Sequence, residues 1–172
     1  AYPRRVSRRR SPGWVPNQHR AWATLATPLA VGILASSPQW VHLPLTAFWF
    51  LGYFAFFAAG LWLKAPPRRR VALVGPLRTY AAASAAMGAL TLALDPTLLR
   101  WAPLFVAPLA VGLVASARRD ERSLWSGLAT SIGSCLMVLA AYDAGGGTDW
   151  VRAWLLTGIL AAYFAGTVLY VK

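Results

Sequence analysis

The chain has 172 residues, of which 58% are hydrophobic and only 13% are charged. A soluble domain carries about 25% charged residues, and a soluble fold could not hide so much apolar surface. This composition excludes an ordinary soluble domain and predicts an integral membrane protein.

The formal charge is +12, from 17 Lys and Arg against five acids. Such an excess is typical of nucleic-acid-binding proteins. Here the basic residues lie in short segments between apolar runs, where membrane topology and anionic lipid account for them. No nucleic-acid-binding motif is visible, so we expect lipid, and not nucleic acid, as the partner.

A helix needs roughly 20 apolar residues to cross about 30 Å of hydrocarbon. Six runs of about that length are bounded by charge, Pro or Gly. They are Ala21–Ser36, Val41–Leu63, Val74–Leu94, Leu98–Ser116, Leu124–Tyr142 and Trp150–Val171. The sequence therefore predicts an all-α bundle of about six transmembrane helices over residues 21–172, preceded by a basic tail and interfacial segment over residues 1–20.

The distribution of basic residues predicts the orientation of this bundle. Of the 17 Lys and Arg, only Arg100 and Arg152 lie in connections on one side of the predicted membrane. All others fall in the tail, the second-to-third connection, the fourth-to-fifth connection or the last residue. Because Lys and Arg are retained on the cytoplasmic side, both termini are predicted to be cytoplasmic.

Small residues at four-residue spacing predict where helices approach each other closely. We expect such faces on the sixth helix (Gly158, Ala162, Gly166), the fifth (Gly127, Ser131, Cys135) and the third (Ala82 with Ala86, Ser84 with Gly88).

A possible internal repeat relates the first and fourth helices. TPLAVGILAS (27–36) and APLAVGLVAS (107–116) share seven of ten residues. An inverted repeat of three plus three helices would follow, as in many transporters. Pro28 and Pro108 are expected to weaken their helices locally.

The distribution of titratable residues does not predict a catalytic centre. All five acids fall in loops or at helix ends, which argues against a mid-membrane carboxylate relay and against a magnesium–diphosphate site. His19 and His42 are predicted on opposite membrane faces, so no metal site is expected, and His42 is interpreted as an interfacial residue. The DAGGGTDW segment lacks the lysine of a phosphate-binding loop and is interpreted as a flexible turn. No cofactor is predicted.

The segment PNQHRAW is the best candidate for a binding site. Its simplest interpretation is structural, with Asn17 capping the first helix at the membrane interface. Alternatively, His19 and Gln18 form a cytoplasmic polar pocket for a headgroup or small anion, with Arg20, Arg78 or Arg68–Arg70 as counter-charges. The candidate residues are Asn17, Gln18, His19, Arg20 and Arg78.

Further basic residues of the predicted cytoplasmic side are candidates for contact with anionic lipid. They are Lys64, Arg68, Arg69, Arg70, Arg118 and Arg119.

The stretch WVPNQHRAWATLATP also resembles the start of the YwiC-like integral membrane proteins, which typically read P-N/K-Q-H-G-A-W-A-M-L followed by a proline. VHLPL (41–45) and LYVK (169–172) are similar to that family's pattern as well. Arg20 replaces the usual glycine and Thr24 the usual methionine, which puts in doubt a site that needs close backbone approach there. The resemblance implies a bacterial cytoplasmic-membrane protein and implies no established activity.

The order of parts also resembles, more distantly, the UbiA-type prenyltransferases. Those enzymes hold a prenyl diphosphate through magnesium bound by two aspartate-rich motifs, and the corresponding first loop here, LKAPPRRRVALVGPLR, contains no acid. We therefore expect a non-catalytic accessory or scaffold subunit of a membrane complex. A degenerate or truncated prenyltransferase-like protein binding an isoprenoid diphosphate, and a small transporter, are the alternatives.

Overall fold

The computed structural model describes residues 13–14, 19–120 and 123–170, and no strand occurs among them. Its elements are α1 (His19–Ala35), α2 (His42–Lys64), α3 (Pro67–Leu94), a 3-10 helix (Pro96–Trp101), α4 (Ala102–Ala117), α5 (Leu124–Cys135), α6 (Met137–Ala144) and α7 (Trp150–Tyr170). Each of the six predicted spans has a helical counterpart, so the all-α fold class is confirmed.

Four of these segments are long and apolar enough to cross a membrane: His42–Lys64, Pro96–Ala117, Leu124–Ala144 and Trp150–Tyr170. The apolar part of α1, Trp22–Ala35, is shorter. The chain is therefore a helical membrane protein. The orientation of its termini stays a prediction.

The third helix begins earlier than the sequence predicted. Pro66 is extended and Pro67 occupies the first turn of α3, a position where a missing N–H costs nothing and a fixed φ favours the helix. Arg68, Arg69 and Arg70 consequently lie in the first turn of α3 and not in a loop. The connection from α2 is only two residues long.

The predicted fifth span is interrupted at Leu136, which separates α5 from α6. The Leu136 N–H donates to the Ile132 carbonyl at 3.1 Å, whereas the Leu139 N–H donates to the Leu136 carbonyl at 3.1 Å, only three residues back. This tighter turn lies in the centre of the bundle, where Cys135 and Met137 on either side of Leu136 are almost fully buried.

The helix order gives the bundle two different ends. The connection 65–66 and the described residues 118–120 and 123 lie with the start of α1 at one end, which we call the basic end. The connections 36–41, 95–101 and 145–149 lie at the opposite end.

The core of the bundle is built on α6. Val138, Leu139 and Ala141 are completely buried, and α1 packs directly against them. A Cβ placed on Gly32 of α1 would lie 2.6 Å from the Val138 carbonyl oxygen and 2.7 Å from the Ala141 Cβ. Only a glycine allows these two helices to approach so closely.

Two of the predicted small-residue faces pack as expected. On α5, Ser131 and Cys135 are buried, and a Cβ on Gly127 would meet Val168 of α7 at 3.0 Å. On α3, the Ser84 hydroxyl donates to the Phe48 carbonyl of α2 at 3.1 Å, and Gly88 lies beneath the Phe48 ring.

The stripe on α7 and one pair on α3 do not pack within the described part of the chain. Nothing lies within 4 Å of a Cβ placed on Gly158 or Gly166, and Ala82 and Ala86 are exposed. These faces point outward, because α7 and α3 turn their other sides to α5 and α2.

The prolines of the possible repeat are accommodated inside continuous helices. Pro28 lies within α1 and Pro108 within α4. A Cβ on Gly133 of α5 would lie 2.7 Å from the Pro108 Cβ, so this proline is a packing contact between α4 and α5. The inverted repeat stays a prediction.

Candidate functional site

The predicted PNQHRAW site is only partly covered by the described residues. Asn17 and Gln18 lie outside them. His19 and Arg20 begin α1, but their side chains are not described. A headgroup pocket at this segment therefore stays a prediction.

The residues just before this segment dock on α3. Gly13 is buried with φ +92°, and a Cβ there would lie 2.9 Å from Leu73 Cδ2. The Tyr80 hydroxyl donates to the Trp14 carbonyl at 2.7 Å, and the two rings meet edge to face at 5.8 Å. We call Gly13 and Trp14 the strap, because they contact Leu73, Pro76 and Tyr80 in the first half of α3.

Aromatic rings connect α1, α2 and α3 beside the strap. Trp22 of α1 stacks on Phe50 of α2 at 6.0 Å and meets Phe54 at 5.7 Å. Phe54 in turn meets Tyr80 of α3 at 5.2 Å. We call Trp22, Phe50, Phe54 and Tyr80 the aromatic face. Trp22 is exposed, and the other three side chains are half-buried.

Arg78 does not share this side of α3. It is exposed, and it lies two residues before Tyr80, which places the two side chains about 200° apart around the helix. The strap contacts the Tyr80 side, so Arg78 lies on the side of α3 that faces away from the strap.

Two basic residues at this end complete the C-terminus of α2. Arg70 donates through Nε to the Ala65 carbonyl at 3.0 Å and through Nη2 to the Leu63 carbonyl at 3.4 Å. Its guanidinium also lies 4.9 Å from the Trp62 ring centroid. Arg119 Nη2 donates to the Lys64 carbonyl at 3.1 Å. These arginines satisfy carbonyls that the last turn of a helix leaves without partners.

The remaining basic candidates at this end have a different environment. Arg68, Arg69 and Arg118 are exposed, and their side chains make no hydrogen bond or ion pair within the described part of the chain. Lys64 is half-buried. The structure thus separates two arginines that cap α2 from three that present their charge to the surroundings.

The opposite end carries a polar network that the sequence did not predict. Arg100 forms a bidentate ion pair with Asp143, with Nε 3.0 Å from Oδ2. Trp101 Nε1 donates to the same oxygen at 2.7 Å. The Arg100 guanidinium lies 5.3 and 5.4 Å from the ring centroids of Trp101 and Trp150. The network joins the 3-10 helix, α6 and α7.

His42 belongs to the same end and is buried, with only 5% of its surface exposed. His42 is thus packed inside the bundle, and its position at the level of the membrane interface stays a prediction. Its Nδ1 accepts from the Gln39 N–H at 2.9 Å, and its Nε2 lies 2.9 Å from the Ala141 carbonyl. Both bonds are satisfied together by the tautomer that carries its proton on Nε2. It ties the start of α2 to α6.

The glycine-rich segment is also packed and not a free turn. A Cβ on Gly145 would collide with Ser36 at the end of α1, and one on Gly147 would collide with the Tyr142 ring. The Asp149 N–H donates to the Tyr142 hydroxyl at 3.1 Å. The glycines let this connection approach its neighbours closely.

A sequence signal for this network existed in the charge distribution. Arg100 and Arg152 are the basic residues predicted on that side, and Asp95, Asp143 and Asp149 are the acids. No sequence rule tells which of them pair. Every buried side-chain nitrogen or oxygen of the described residues has a partner, so the buried part of the network is satisfied and can hold the helices together.

No group of three His, Cys, Asp or Glu side chains within residues 13–14, 19–120 and 123–170 could hold a metal ion.

The described geometry offers two surfaces for function. One is the exposed positive charge of the basic end with the neighbouring aromatic face, and the other is formed by the outward faces of α3 and α7.

Comparison with known proteins gives one curated relative, "Uncharacterized protein YwiC" of Bacillus subtilis (strain 168). It is 27% identical over 159 residues, which cover 92% of this chain and 65% of the relative. The chain thus spans less than two thirds of that protein's length. No solved structure matches this chain.

The family of YwiC-like proteins matches residues 15–142. This match covers α1 to α5 and most of α6. It therefore includes the start of α1, the aromatic face and, from the polar network, Arg100 and Trp101. It extends over well more than half of the 172 residues. The chain belongs to the YwiC-like protein family.

Proposed function

We propose that this chain is a non-catalytic accessory subunit of a larger membrane complex and that its basic end contacts anionic lipid. The observation that carries the first part is the position of α3. Among the described elements, α3 packs only on α2 and the 3-10 helix, so it forms an edge of the bundle. It is also not among the four segments that are apolar enough to span a membrane.

The outward face of α3 favours contact with protein over contact with lipid. Gly75, Arg78, Ala82 and Ala86 are exposed and share one side of the helix, because their spacings of three and four residues correspond to whole turns. Small residues let another helix approach closely in a membrane, and an arginine there is better satisfied by protein than by hydrocarbon. A partner helix would cover this face.

The second part is supported by the three exposed arginines at the basic end. Arg68 and Arg69 lie in the first turn of α3 and Arg118 follows α4, at the end of the bundle where we expect the headgroup layer. A basic residue near an anionic membrane surface contributes about 1 kcal/mol. Arg70 and Arg119 already bind α2 carbonyls, so we expect them to contribute mainly to the fold.

Partner binding is tested by purifying the tagged full chain from its native membrane under mild solubilisation. We expect the chain to migrate in a native gel as part of a larger assembly. Ala82→Phe should release it from that assembly, because the added ring blocks close helix approach. Val111→Phe is the matched control, since Val111 is an exposed residue of α4. Recovery of the unaltered chain as a monomer would remove the proposal.

Lipid contact is tested with the chain in mixed micelles of phosphatidylglycerol or phosphatidylcholine. The unaltered chain should retain phosphatidylglycerol preferentially, and the triple change of Arg68, Arg69 and Arg118 to Gln should abolish the preference. Arg152→Gln, at the opposite end, should leave it intact. Equal retention of both lipids by the unaltered chain at low salt would contradict lipid contact.

A further inference from the structure

The aromatic face fills a gap between two helices that do not meet. Among the described residues, α1 and α3 flank α2 and are not in contact with each other. Only side chains bridge them, through Trp22, Phe54 and Tyr80. Trp22 keeps 37% of its surface exposed, and the Phe50, Phe54 and Tyr80 side chains are half-buried. Ring surface is thus available to an apolar molecule in the bilayer.

A positive charge lies at the end of this gap. Arg69 precedes Leu73, Pro76 and Tyr80 by four, seven and eleven residues, and these spacings place all four residues on one side of α3. Arg69 is exposed and belongs to the first turn of the helix. Gly13 of the strap covers Leu73 and Pro76, so the Arg69 guanidinium lies on the headgroup side of the strap and the aromatic face on its other side.

The dimensions match one leaflet of a bilayer. Eleven residues of helix at about 1.5 Å each separate Arg69 from Tyr80 by about 16 Å, and half of a 30 Å hydrocarbon core is about 15 Å. A phospholipid with its phosphate at Arg69 would thus reach the level of Tyr80 and Phe54 with its acyl chains.

We propose that Arg69 and the aromatic face form a binding site for one anionic phospholipid. Its phosphate pairs with Arg69, and one acyl chain lies across Trp22, Phe50 and Phe54, beside the strap. The charge of the headgroup complements the guanidinium, while the chain covers the exposed ring surface. This inference rests on the proposed lipid contact of the basic end and adds a defined position and stoichiometry.

The test counts lipids retained by the purified full chain in a native mass spectrum, with phosphatidylglycerol and phosphatidylcholine of identical chains competing. We expect one phosphatidylglycerol to remain bound. Arg69→Gln should lower its affinity about five-fold, the effect of one charge near an anionic surface. Arg118→Gln is the comparison, because Arg118 is an exposed basic residue of the same end that follows α4 and does not belong to α3, and it should lower the affinity for the one retained lipid clearly less than Arg69→Gln does.

The aromatic part of the site has its own pair of variants. Phe54→Leu should lower retention of phosphatidylglycerol, whereas Phe56→Leu should not, since Phe56 lies over Gly112 of α4. Thermal unfolding of all four variants before lipid addition checks that each is folded. With a six-carbon phosphatidylglycerol, the effect of Phe54→Leu should vanish and that of Arg69→Gln should persist.

The outcomes separate the site from the broader lipid contact. Equal loss for Arg69→Gln and Arg118→Gln, with no effect of Phe54→Leu, would overturn the site and leave a diffuse contact of the basic end. Equal retention of phosphatidylcholine and phosphatidylglycerol by the unaltered chain would overturn both. Loss for Phe54→Leu with no change for Arg69→Gln would place the headgroup elsewhere and would also overturn the site.

Discussion

Asp143 shows how single residues close one end of the bundle. Its carboxylate accepts from Arg100 and from Trp101, and its side chain is only 10% exposed. Hydrogen bonds to a charged group contribute about 1.5–3 kcal/mol each when buried, but solvent screening reduces the part due to Arg100, which is half exposed. We therefore expect a moderate stabilisation from the whole group.

Asp143→Asn should lower the free energy of unfolding by about 1–2 kcal/mol. The amide keeps the shape of the side chain but loses the charge and directs an N–H₂ group at Arg100 or Trp101. Thermal unfolding in detergent measures the effect, and a double-mutant cycle with Arg100→Gln isolates the pair. Arg152→Gln, an exposed charge at the same end, is the control. A coupling energy near zero would show that the ion pair contributes nothing.

His42 provides a second test at this scale. His42→Phe keeps a ring in the buried site but removes the acceptor of the Gln39 N–H and the imidazole bond to the Ala141 carbonyl, which still accepts from the Gly145 N–H. A hydrogen bond contributes about 0.5–1.5 kcal/mol net, so the variant should unfold at a lower temperature. An unchanged melting temperature would mean that the imidazole bonds are dispensable.

At the scale of elements, close packing depends on which face of a helix each glycine occupies. Gly32 lies at the close contact between α1 and α6, whereas Gly158 on α7 has open space around it. Both residues lie inside helices, where alanine is preferred over glycine by roughly 0.5–1 kcal/mol. The same substitution should therefore have opposite effects at the two positions.

Gly32→Ala should destabilise the protein by about 1–3 kcal/mol, because the methyl group must displace the backbone of α6. Gly158→Ala should be neutral or slightly stabilising. Parallel thermal unfolding of the two variants in the same detergent measures the difference. Equal melting temperatures would contradict the close approach of α1 and α6.

The sequence predicted the helices well because each apolar run of membrane-spanning length has few alternatives in lipid. It missed the start of α3, because Arg68–Arg70 looked like a loop although Pro67 already begins the helix. It also missed the break at Leu136, which no proline or glycine marks. The start of α3 thus had a local signal in Pro67, which favours the first turn of a helix, whereas the break at Leu136 had none.

The candidate site was less predictable for the same reason. The clusters of arginines were visible in the sequence. Which arginines cap α2 and which stay exposed depends on where the last carbonyls of α2 lie in the folded chain. Arg70 and Arg119 reach those carbonyls, and Arg68 and Arg118, their neighbours in sequence, do not. Likewise, the pairing of Arg100 with Asp143 spans 43 residues, a separation that no local pattern encodes.

For the whole molecule, the account requires that the basic end and the opposite end lie on different sides of one membrane. The positive-inside rule predicts a cytoplasmic basic end, and the proposed lipid contact of that end relies on this orientation. Thr148 and Arg118 are exposed residues of the opposite and the basic end, respectively. Cys135 is the single cysteine, so Cys135→Ala gives a background without thiols.

The most direct measurement is labelling of Thr148→Cys and Arg118→Cys in this background with a membrane-impermeant maleimide, in intact and in permeabilised cells. We expect Thr148→Cys to react in intact cells and Arg118→Cys to react only after permeabilisation. Reaction of both positions in intact cells would contradict the membrane-spanning bundle, and the reverse pattern would contradict its orientation.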